Sequence, residues 1–166
     1  MGVEGAGGAM DIARLLPPAT GPRRIVLAVG TGTTLAGIAA AAAAGDSISG
    51  IAALKKVPDI EPRVAGLLQE LAPRATPVWE ILYDYHAGGF ARVSPETRAF
   101  QLAFEAVQGI PLDPVYTAKA MFMVHSLRSA GIWDKDEALT VVHTGGLQGR
   151  LGYDWLNPAA GAIPAE

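Results

Sequence analysis

The sequence predicts an α/β fold: an open, mostly parallel sheet with helices on both faces, in three layers. Three observations predict it. The run Arg24-Ile25-Val26-Leu27-Ala28-Val29 is apolar without alternation after its first residue, as in a strand covered on both faces. Stretches of strand length alternate with stretches of helical period, the order that βαβ units and right-handed crossovers require. Glycine loops follow three of the strand candidates, where an open α/β sheet places its ligand-binding turns.

Each element has its own signal. Met10 to Leu16 reads as the last turns of a helix that ends before Pro17-Pro18. Residues 1–22, with five glycines and three prolines, are expected to be a helix remnant and linker, leaving residues 23–166 as one α/β domain. The strand 24–29 enters Gly30-Thr31-Gly32-Thr33-Thr34 and then an apolar helix through about Ala44. Ser49 to Leu54 reads as a second strand, with Lys55-Lys56 at its exposed end. Glu61 to Leu71 predicts a helix, because Val64, Leu67, Leu68 and Leu71 share one face. Val78 to Tyr83 reads as a third strand. A helix from Ser94, with Pro95 in its first turn, runs to Gln108-Gly109. Asp113-Pro114 opens another that reaches Ala130-Gly131, and the last strand, Ala138 to Val142, feeds His143-Thr144-Gly145-Gly146.

Composition narrows the function classes. The 166 residues are 50% apolar and 17% charged, which favours a packed core over a disordered chain. Thirteen Lys+Arg against sixteen Asp+Glu give a net charge of −3 with no basic run, so no nucleic-acid partner is expected. The absence of cysteine removes disulfides, thiolate metal sites and a cysteine nucleophile together, and a cytoplasmic protein without a metal fits best. Mean hydropathy is +0.27, yet the longest apolar run, Leu35 to Ala44, falls short of the roughly 20 residues of a spanning helix. No membrane partner is expected, and the opening residues lack the basic start of a signal peptide.

The turn Gly30-Thr31-Gly32-Thr33-Thr34 is the most informative segment. Glycines let successive N–H groups converge, the helix start adds positive potential, and threonines add hydroxyls. No lysine follows as in a nucleoside-triphosphate loop, and Leu35 stands where the dinucleotide fingerprint needs its third glycine. A phosphate monoester is the better ligand; a tight turn with threonine caps is the plainer alternative. Tyr85-His86-Ala87-Gly88-Gly89-Phe90 forms a second glycine loop, in which His86 is either a general base or a surface histidine without a role. Tyr116 and Lys119 are spaced to face one site, or else are a core aromatic and a solvated charge. His143 to Gly149 is a third loop, and the three would meet at one crevice.

The set Gly30–Gly37, Tyr85–Phe90, Pro111–Ala120 and His143–Gly149 resembles the C-terminal half of the 1-aminocyclopropane-1-carboxylate (ACC) deaminase / D-cysteine desulfhydrase family. The resemblance implies the large-domain part of a fold type II, tryptophan synthase β-like enzyme that uses pyridoxal 5′-phosphate. It implies that Gly30, Thr31, Gly32, Thr33 and Thr34 hold the cofactor phosphate and that Thr144 reaches the pyridine nitrogen. Tyr116 is implied as the catalytic residue beside ring and substrate, with Phe90 in the substrate pocket. Phe90 stands where the family typically has a tyrosine, and Ala118 replaces a usual glycine. None of Lys55, Lys56, Lys119 and Lys135 sits in the context of the family's Schiff-base lysine, so the N-terminal half is expected to be absent.

The implied activity is deamination or desulfhydration of a small amino-acid substrate: β-elimination from D-cysteine to pyruvate, ammonia and sulfide, or an ACC deaminase-like reaction. The form present here is expected to be truncated and inactive alone. The family implies a homodimer, and a separate N-terminal partner could complete the site. Two alternatives stay open. The chain could be a non-catalytic or split-enzyme half that binds a partner chain, or a Rossmann-like phosphate- or nucleotide-binding module.

Overall fold

The computed structural model describes residues 2–18, 20–54, 59–72, 74, 77–86 and 88–157 of the chain. The Lys55-Lys56 pair and Ala87 of the second loop lie outside the described residues. Four strands, β1 (Arg23–Val29), β2 (Ser47–Ala52), β3 (Val78–Leu82) and β4 (Ala138–Val142), form one parallel sheet in the order β3-β2-β1-β4. In the register, Ile25 lies beside Ile48 on one side and Thr140 on the other.

Side-chain alternation along β1 sorts the two cores. Ile25, Leu27 and Val29 join the cluster under α1 (Val3–Leu15), α2 (Thr33–Ala41) and α3 (Ile60–Leu71). Val26, with Ala28 packed alongside, joins the opposite cluster under α5 (Thr117–Ser129), where Met123, Leu127 and Trp133 are buried. Each side chain buried in this way contributes about 1.5–3 kcal/mol, which is why the central strand shows no polar alternation. The fourth helix of the chain order, α4 (Pro95–Gln108), packs against α5. The α/β class with helices on both faces is therefore present.

Helix α1 reaches back to Val3, further than its sequence signal, because packing compensates for its glycines. A Cβ on Gly37 of α2 would lie 2.2 Å from the Ala6 carbonyl and 2.6 Å from the Ala9 Cβ, so the two helices cross at a distance only glycine permits. Three other elements differ in their bounds from expectation. Strand β2 spans Ser47–Ala52 rather than 49–54, two residues earlier at each end, since polar Ser47 carries no apolar signal and pairing with β1 sets the register. Helix α2 ends at Ala41 because Ala42 is extended, a stop the alanine run does not announce. Helix α5 starts at Thr117, and the Asp113 carboxylate ahead of it accepts from the N–H groups of Val115, Tyr116 and Thr117. The Ser94 cap falls as the sequence predicts, its hydroxyl accepting from the Thr97 N–H.

Candidate functional site

A crevice of about 290 Å³ opens where β1 and β4 end. Its floor is the turn from β1 into α2, Gly30 to Leu35, and its far wall is Thr144, Gly145 and Gly146 after β4. Tyr116, at the entry to α5, lines it as well.

The turn is built for exposed donors. Gly32 caps α2 with φ of +85°, and a Cβ there would stand 2.6 Å from Val64 Cγ2. Helix α3 therefore backs the turn directly, and Arg63 of α3 also donates to the Thr31 carbonyl at 3.2 Å. The first intrahelical bond runs from the Ala36 N–H to the Gly32 carbonyl, and no side chain caps the helix. The N–H groups of Thr33, Thr34 and Leu35 thus have no intrahelical acceptor, and the crevice receives the positive end of the helix dipole. The Thr31 and Thr33 hydroxyls bond to each other at 3.2 Å, leaving further hydroxyl capacity on the same rim.

The opposite wall is held by its own turn. His143 Nδ1 accepts from the Gly145 N–H at 3.0 Å, and His143 Nε2 lies 2.9 Å from the Pro111 carbonyl. An accepting Nδ1 places the ring proton on Nε2, so both nitrogens serve to join the third loop to the entry of α5. Past that loop, a 3-10 turn (Leu147–Gly152) is braced by Arg150, which donates to both Glu105 oxygens and to the Leu112 carbonyl. Burial works to raise the Glu105 carboxyl, but Arg150, Gln101 and the Leu112 N–H together hold it below the ordinary carboxylate range.

Of the residues singled out in the sequence, Gly30, Thr31, Gly32, Thr33, Thr34, Tyr116 and Thr144 share this one crevice. Phe90 is exposed and meets it from outside, its ring 6.4 Å from that of Tyr116 in an edge-on arrangement. Two of the three glycine loops therefore line the crevice, and the second reaches it only through Phe90. His86 does not line it; its Nδ1 accepts from the Gly88 N–H at 2.9 Å and shapes the loop.

Lys119 corrects both of its expected placements. It neither lines the crevice with Tyr116 nor lies in solvent: it is 1% exposed, and its ammonium donates to three backbone carbonyls. Desolvation lowers its pKa from 10.5 to about 8, with the nearby Asp113 charge opposing. Asp113 was legible only as a helix start, although its bond to the Tyr116 N–H also fixes the backbone of that residue. The Arg150–Glu105 brace had no sequence signal, since its partners stand 45 positions apart. Among the described residues, no group of three His, Cys, Asp or Glu could hold a metal ion, and no helix is long and apolar enough to cross a membrane.

No family model matches the chain. Among individual proteins it is similar to one of Pyrococcus horikoshii assigned as a 1-aminocyclopropane-1-carboxylate deaminase, with 31% identity over 135 residues covering 78% of this chain and 41% of that protein. It is also similar to the D-cysteine desulfhydrase of Salmonella paratyphi C, 28% identical over 152 residues, which are 87% of this chain and 46% of the relative. The solved structure of an ACC deaminase homologue shares the fold, with a TM-score of 0.74 and 24% identity over 94% of this chain and 50% of that one. The chain spans about half the length of these proteins. By sequence and by fold, over most of its own length, it is a relative of the 1-aminocyclopropane-1-carboxylate deaminase / D-cysteine desulfhydrase family.

Proposed function

We propose that this chain is the phosphate-anchoring part of a pyridoxal 5′-phosphate enzyme that deaminates or desulfhydrates a small amino acid. The observation that carries the reading is the single crevice shared by the uncapped start of α2, Tyr116 and Thr144. The donor set fits the cofactor's dianionic phosphate: three free N–H groups, threonine hydroxyls and a helix N-terminus, with no acidic side chain among the described lining residues. The sequence after the second strand, Leu54-Lys55-Lys56, carries no acidic residue where the dinucleotide alternative needs a carboxylate for the ribose. Thr33 and Thr34 would hold the phosphate by backbone and hydroxyl. Thr144, on the facing wall, would offer its hydroxyl to the pyridine nitrogen, and Tyr116 would border the ring. Phe90, edge-on against Tyr116, would narrow the substrate side without offering a hydroxyl of its own.

When bound, pyridoxal phosphate supplies an electron sink for the bond broken at the substrate Cα. No lysine lines the crevice among the described residues, and Lys119 is held by carbonyls instead. None of the four lysines stands in the sequence context of the Schiff-base lysine that the family resemblance implies, so the reading has the phosphate anchor in this chain and the covalent anchor elsewhere, with weak cofactor binding and no turnover by the chain alone. Calorimetry with pyridoxal 5′-phosphate, phosphate-free pyridoxal and NAD tests it. The expected result is affinity for the phosphorylated compound at least about tenfold above pyridoxal, and no detectable NAD binding. Equal affinity for pyridoxal, tighter NAD binding, or a borohydride-trapped adduct with turnover would each overturn it.

A further inference from the structure

We infer that Lys119 is a positioning residue: its ammonium clamps the second glycine loop to the end of β2 and thereby seats Phe90 against Tyr116. The geometry is a closed count. An ammonium has three N–H donors, and three carbonyl oxygens surround this one, those of Gly89 at 2.7 Å, His86 at 2.9 Å and Ala53 at 3.3 Å. Two of the acceptors belong to one loop, and the third follows the last residue of β2. The donor comes from the first turn of α5, three residues after Tyr116. One helical turn thus carries both the aromatic ring on the crevice wall and the cation that holds the loop bearing Phe90.

Burying an ammonium carries a large desolvation penalty, so a lysine whose only task were to fill space would be inferior to methionine. What an apolar chain cannot do is satisfy three converging carbonyls, which would then point at one another without a donor. Just past the loop, the Tyr153 hydroxyl donates to the Ala91 carbonyl at 2.9 Å. Among the described residues, the loop's own remaining bonds are local: Gly89 N–H to the His86 carbonyl, Gly88 N–H to His86 Nδ1, and Arg92 N–H to the Gly89 carbonyl. These fold the loop on itself, whereas the Lys119 bond to Ala53 fastens it to the sheet. Among the described residues, the charged group that acts on the ammonium is Asp113, from the entry of α5; His86, Gly89 and Ala53 meet it only through their backbone carbonyls.

Amide hydrogen exchange on the chain without cofactor tests the clamp and leaves the pyridoxal phosphate reading untouched whichever way it falls. In Lys119→Met, the Gly88 and Gly89 amides are expected to exchange about tenfold faster, while Val26 and Leu27 of β1 change far less. In Lys119→Ala, added n-propylammonium is expected to restore loop protection, and tetramethylammonium, which has no N–H, is not. Unchanged loop exchange, or equal acceleration of loop and β1 without rescue by propylammonium, would overturn the inference. Should both variants fail to fold, NMR of the unaltered chain supplies a direct reading: an ammonium held by three carbonyls should give a slowly exchanging Lys119 Nζ–H signal with through-space contacts to the Gly88 and Gly89 amides. A Lys119 ammonium that exchanges as fast as a solvated lysine, with no such contacts, would refute the clamp.

Discussion

At the amino ends of the strands, Arg23 pairs with Asp46, and Arg24 donates to Glu80, Glu137 and Ser49 while lying over the Trp133 ring. At the carboxyl ends, the first turn of α2 presents donors to an open crevice with no side chain capping it. The same sheet therefore closes its charges at one end and leaves hydrogen-bonding capacity at the other. Paired groups contribute to stability and can no longer recognise a ligand; unpaired ones do the reverse. Lys119 belongs with the first kind although it sits near the second, which is why it supports the crevice without lining it.

Four changes would break or sharpen this contrast. The largest effect is expected for Arg23→Met, because Asp46 is only 6% exposed and would be left as a buried, unpaired carboxylate. A loss of about 3 kcal/mol in urea unfolding is expected, with phosphate-compound binding retained in the fraction that stays folded. Arg24→Met should cost less, about 1–2 kcal/mol by the same measurement, since its partners Glu80 and Glu137 keep partial contact with water. If either variant abolished ligand binding without unfolding, the two ends would not be independent.

The pH dependence is the third. Folded Lys119 releases its proton at about 8 and the unfolded chain at the ordinary 10.5. Between those values the unfolded chain binds more protons, so the contribution of this group to stability rises with pH over that window and is lowest below it. Tyr83 acts in the opposite sense from 10 upward: burial, with Glu61 beside it, pushes its phenol up to about 12, and the folded state loses stability as the unfolded phenol ionises. Urea midpoints on either side of 8, both below 10, should therefore show a rise that disappears in Lys119→Met. The smallest effect is expected for Thr144→Val. Thr144 is exposed on the crevice wall, so stability should change by less than about 0.5 kcal/mol while pyridoxal phosphate binds more weakly in calorimetry.

Much of the fold was legible because its signals are local. The apolar run of β1, the one-face spacing of Val64, Leu67 and Leu68 in α3, the Ser94-Pro95 start of α4 and the strand 138–142 each depend on neighbours a few residues away. The start of β2 was not legible, because Ser47 becomes a strand residue only by pairing with Arg24 of β1. Nor was the length of α1, whose glycines argue against a helix until Gly37 of α2 lets it pack closely.

The same division runs through the site. Residue order and spacing marked the Gly30–Thr34 turn, the Tyr116–Lys119 pair and the glycine loops at strand ends, while Thr144 and the role of Tyr116 came from the family resemblance. Only tertiary structure decided that two of the loops share one crevice while the second stands outside it. It also decided the place of Lys119, whose three acceptors lie 30, 33 and 66 positions away. A lysine's type predicts solvent; a buried cation is stable only where distant backbone oxygens have already been brought together, and no local pattern encodes that meeting.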